Sequence, residues 1–158
     1  MRNGNRLAVI GVVAILTPGC ATFFQPAYKP LIFEKAVTAV NTLAKIQASL
    51  EVSAPDYLPY DKVEPLFVEA ISSAIQARIE ATARADAIAP NQPSKVPART
   101  IATMTNTCLS SIKTIQIRYK AGGDGSNAAA RYPEPEGDVE AAIHTCQAVA
   151  KTEALFKD

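Results

Sequence analysis

The chain has 158 residues, no Trp, few aromatics, a single histidine, and 16 basic against 15 acidic side chains. That near-neutral balance, with no stripe of Lys or Arg, leaves no footprint for phosphate contacts and excludes nucleic-acid binding. The first element is a targeting segment. Arg2 and Arg6 lead into an apolar run, Leu7 to Leu16, which breaks at Thr17-Pro18-Gly19 directly before Cys20. The run is well short of the roughly 20 residues that a spanning helix requires. A charged start, a short apolar core and a small-residue exit together mark residues 1–19 as a secretory signal peptide.

Gly19-Cys20 at that exit resembles the end of a bacterial lipoprotein precursor. The resemblance covers the first 20 residues. Gly19 matches the pattern, whereas Thr17 and Pro18 stand where the family usually has Leu and a small residue, and Leu16 sits one place early. The resemblance implies that the Cys20 thiol receives a diacylglyceryl group and becomes the first residue after cleavage, carrying two or three fatty chains such as palmitate. One acyl chain holds a protein only marginally, at about 0.8 kcal/mol per buried methylene, so several chains make an anchor that does not release. Ala21 stands where the family's inner-membrane retention signal would be Asp. In a Gram-negative host this implies an outer-membrane lipoprotein facing the periplasm. Gly19-Cys20-Ala21 also satisfies the small-x-small rule of ordinary secretion, which would remove Cys20 altogether.

Cleavage leaves about 138 residues, enough for one domain with a core and too few for two. Residues 20–30 read as a tether, in which Pro26 and Pro30 disfavour helix. Phe23, Phe24 and Tyr28 would lie either among lipid headgroups or over one end of the domain.

Four helical segments fill the domain, 31–158. Leu31–Val52 repeats Phe33, Ala36, Val37, Val40, Leu43, Ala44, Ile46 and Leu50 at three- and four-residue steps, until Pro55 and Pro59 stop it. Asp61–Ala89 opens with a capping-box spacing of Asp61 and Glu64, with Pro65 in or near the first turn. Its stripe runs from Leu66 and Phe67 to Ala81, and Arg78, Glu80, Arg84 and Asp86 mark the wet side. Past Pro90, Pro93 and Pro97, a third helix over Ala98–Ala121 carries Ile101, Met104, Cys108, Ile112, Ile115 and Tyr119 on one face. A breaker-rich loop follows Gly122-Gly123, and Asp138 caps a last helix reaching Lys157, with Val139, Ala142, Ile143, Cys146, Val149 and Ala150 inward. No segment alternates convincingly between apolar and polar residues. The expectation is an all-α four-helix bundle, up-down-up-down because most connections are short, packed closely by its many alanines.

With Cys20 set aside, two cysteines remain in an exported chain, which favours a disulfide. Cys108 and Cys146 both lie on apolar stripes near the middles of neighbouring helices, and their pairing is expected. Two buried free thiols are the alternative. Chemistry is otherwise sparse. His144 forms an i, i+4 pair with Glu140; a single histidine cannot complete a di-iron bundle, and with the other two cysteines paired it makes a poor tetrahedral zinc site, so no metal or cofactor is expected. The glycines of residues 121–127 lack the Lys-Ser/Thr step and the preceding strand of a phosphate loop. Ser110 and Ser111 lack a partner base, and no enzyme is expected.

The leading expectation is a lipid-anchored protein of the cell envelope that acts by binding, as a structural or accessory subunit with an envelope protein partner. Alternatives are a phage- or plasmid-encoded envelope effector, for lysis or superinfection exclusion, and a small-molecule carrier using a cavity in the bundle.

Overall fold

The computed structural model describes residues 26–53, 58–122 and 135–157. Four α-helices dominate them: α1, Pro30–Ser53; α2, Tyr60–Ala87; α3, Lys95–Gly122; and α4, Glu140–Ala154, entered through a π-helical turn over Pro135–Val139. There is no strand among the described residues. The signal segment and Cys20 lie outside them.

Each helix start has a local cause. Pro30 opens α1, where a missing N–H is one that would be unbonded anyway. Pro59 precedes α2, and the helix runs on through Pro65 rather than holding it in the first turn. Pro65 is exposed, as is Asp61, whose carbonyl lacks its usual helical donor at Pro65. The capping box does not form: Asp61 is the second residue of α2, and no side chain caps that end. α3 begins three residues earlier than its pattern suggested. Pro97 therefore falls in its first turn, where it removes no helical bond.

Asp138 also does not cap α4. The π turn carries the chain in, and the Asp138 carboxylate instead accepts a hydrogen bond from Arg118 Nη1 at 2.6 Å. α4 stops at Ala154 rather than Lys157, and the last residues close into turns on Thr152 and Glu153 carbonyls.

The helices form a ring, α1 against α2, α2 against α3, α3 against α4 and α4 against α1. Contacts between ends establish the directions. The start of α2 meets the end of α3 through a 2.9 Å hydrogen bond from Gln116 Nε2 to the Tyr60 hydroxyl. The ends of α2 and α4 meet through Arg84 and Glu153. The bundle is thus up-down-up-down.

Its core is a set of heptad seams. The seam residues are Ile32, Ala36, Ala39, Leu43, Ile46 and Leu50 on α1, and Val63, Phe67, Ala70, Ala74, Ala77 and Ala81 on α2, with Thr42, Ser73, Leu109, Ile143 and Ala150 buried beside the seams. α3 supplies Ala98, Ile101, Thr105, Cys108, Ile112, Ile115 and Tyr119, and the last segment Val139, Ala142, Cys146, Val149 and Glu153. Steps of four and three alternate along every one, as in coiled-coil packing. This rotates α1 from its expected face: Ile32 and Ala39 are buried, Phe33, Val37 and Val40 are half-buried, and Ala44 is exposed. An aromatic cluster of Tyr60, Phe67 and Tyr119, with ring centroids 5.7–6.1 Å apart, fills the end where α1 finishes. The Tyr119 hydroxyl donates there to the Leu58 carbonyl.

Candidate functional site

Cys108 and Cys146 are joined, with their Cα atoms 4.8 Å apart. Both occupy seam positions, so the antiparallel pairing of α3 with α4 brings the two thiols onto one shared line. The bridge closes a loop with a sequence separation of 38 and staples the shortest α-helix to its neighbour.

The most densely bonded polar site lies at the opposite end from the aromatic cluster. Arg84 Nη1 donates to Glu153 Oε1 at 2.7 Å and Nη2 to Oε2 at 2.8 Å, a two-pronged pair that matches the planar guanidinium to the carboxylate. The side chains are 4% and 0% exposed. Two further bonds tie in the chain that precedes α1. Arg84 Nη1 also donates to the Ala27 carbonyl at 3.0 Å, and the Lys29 amide donates to Glu153 Oε1 at 2.7 Å. Pro26 is buried beside them. Residues 26–29, expected as part of the tether, are therefore held on the bundle. Phe156 lies under the guanidinium, 5.9 Å from its carbon to the ring centroid, and Arg84 Nε has no partner. Outside this group, Lys29 Nζ reaches Glu80 at 3.4 Å.

Arg84 was expected on the wet side of its helix, and the structure corrects this. Three residues beyond Ala81 it continues the seam, and Glu153 likewise falls four beyond Val149. The heptad register was the signal that could have found the pair, since a charged residue in register must be buried once the helices close. Lys95 is a second buried cation. Its Nζ donates to the carbonyls of Ala85 and Ile88, the latter at 2.8 Å, and so caps the C-terminal end of α2.

His144 sits 3.4 Å from Glu140 on an exposed face, with its side chain 66% accessible. Ser110 is exposed and Ser111 half-buried on α3. Among the described residues no three His, Cys, Asp or Glu side chains gather as a metal-binding set, and no helix is long and apolar enough to cross a membrane.

Two surface grooves run between α2 and α3. One, of about 760 Å³, is lined by Arg78, Ile79, Asp86, Arg99 and Asn106. The other, of about 570 Å³, is lined by Val68, Ile71, Ile75, Lys113 and Ile117. Val68, Ile79 and Ile117 are largely exposed, Ile79 at the first groove and Val68 and Ile117 at the second. α3 carries five basic residues and no acidic one.

No family model, no curated protein and no solved structure matches the chain.

Proposed function

We propose that the chain is a lipid-anchored protein of the cell envelope that acts by binding, as a structural or accessory subunit of an envelope complex. The disulfide carries this reading. Of the three cysteines two are joined inside the bundle, which suits an oxidising compartment, and the remaining one stands at the exit of a signal segment. Attachment of acyl chains at Cys20 then places the bundle at a bilayer, on the outer membrane facing the periplasm if the host is Gram-negative. The groove between α2 and α3 lined by the exposed Val68 and Ile117 with Ile71 and Ile75 supports a role in binding, because an apolar surface groove can seat a partner.

Intact-mass measurement of the protein extracted from host membranes tests the anchor. The expected species starts at Cys20, carries the added mass of two or three acyl chains, and lacks the two hydrogens of Cys108 and Cys146. A chain that retains residues 1–19, or one beginning after Cys20, overturns the lipid anchor. Crosslinking in intact membranes is expected to recover one defined envelope protein, and a chain that stays monomeric without a partner overturns the accessory role.

A further inference from the structure

We infer that the bundle stands end-on against the bilayer, with the end built from the start of α1, the finish of α2 and α4 and the 88–94 connection seated on the lipid headgroups. The inference rests on the proposed acylation of Cys20 and adds the orientation and the contacting surface.

Reach comes first. Six residue steps separate Cys20 from Pro26, so the intervening chain spans at most about 20 Å even when fully extended. No further slack is released beyond Pro26. The Ala27 carbonyl and the Lys29 amide are bonded to the Arg84–Glu153 pair, and lengthening the tether would strip a buried ion pair of two partners. An acylated Cys20 therefore holds this end, and no other, close to the membrane. The opposite end lies the length of α1 away, about 36 Å for its 24 residues.

The surface at the near end suits headgroups. Leu31, Val96 and Leu155 are 41%, 71% and 70% exposed, at the starts of α1 and α3 and just past the finish of α4. The stretch Ala87-Ile88-Ala89-Pro90-Asn91-Gln92-Pro93-Ser94 has no charged residue, and residues 89–93 are all exposed. A bundle lying on its side would bring the far end, the length of α1 away, equally close to the surface.

The chain has no Trp, so one introduced Trp, excited at the red edge where tyrosine does not absorb, reports a single position. Leu155→Trp reports the near end and Val52→Trp the far end, where Val52 is 86% exposed. Both positions are exposed enough for either variant to fold, which far-UV circular dichroism verifies. Each full-length variant, purified from host membranes, is reconstituted into anionic vesicles whose lipid headgroups carry a nitroxide quencher. Leu155→Trp is expected to lose most of its emission, and Val52→Trp to keep its own. Equal quenching of both, or no quenching of Leu155→Trp in protein that floats with the vesicles, overturns the orientation. Flotation and intact mass separate the two failures. Protein that floats and is acylated but unquenched at Leu155→Trp sinks only the orientation, whereas protein that carries no acyl mass and does not float sinks the anchor and the orientation with it.

Discussion

Arg84 and Glu153 show what a single buried pair does in a bundle whose core is otherwise apolar. Desolvating two charges is expensive, and their attraction offsets it only when the geometry is good and the remaining lone pairs are bonded. Here the guanidinium matches the carboxylate on both prongs, and the backbone of residues 27 and 29 supplies further bonds. Removing one partner leaves the other charged and buried. Glu153→Gln is therefore expected to lower unfolding free energy by about 3–5 kcal/mol in urea titration, whereas replacing both residues together, Arg84→Met with Glu153→Leu, is expected to recover most of that loss. The double variant should still free the Lys29 amide, which loses its acceptor and exchanges faster with deuterated solvent. A slow Lys29 amide in a stable double variant would mean that the strap is held by something other than this pair.

α2 owes its position to small side chains. Ala70, Ala74, Ala77 and Ala81 follow one another along its seam, so neighbouring backbones approach more closely than leucines would allow. A close-packed interior has no room for three added heavy atoms. Ala74→Leu is expected to destabilise the fold by about 1–3 kcal/mol through overpacking. Ile79→Ala, at an exposed position of the same helix, is expected to stay within about 0.5 kcal/mol of the parent. Thermal melts of the two variants side by side test this. Equal losses would show that Ile79 is part of the core.

Helix limits were legible where proline decided them, as at Pro30 and Pro59, and misread where proline fell inside a first turn, as at Pro97. The capping roles assigned to Asp61 and Asp138 did not form. One lies inside the first turn of its helix, and the other is engaged by Arg118, a residue 20 positions away that no local pattern pairs with it.

Across the whole molecule, α4 is the shortest of the α-helices and closes the ring by packing on both α1 and α3. The Cys108–Cys146 bridge constrains the unfolded chain over a loop with a separation of 38, worth at most about 4 kcal/mol by the loop-entropy relation. Reduction is expected to lower the urea midpoint by a corresponding amount while the helical circular dichroism of the folded protein persists. A midpoint unchanged by reductant would mean that strain in the folded state cancels the entropic gain.

The sequence by itself determined the helical class, the number of helices and the cysteines that pair, because hydrophobic period and seam position are written in consecutive residues. It also carries the leader and Cys20, from which the proposed anchor is argued. Only the tertiary structure decided which face of α1 turns inward, that Arg84 and Lys95 are buried cations, and that residues 26–29 dock on the bundle. Those outcomes depend on partners far apart in the chain. Arg84 is tolerable inside only once the closing of α4 onto the ring brings Glu153 to meet it, and no local window contains both.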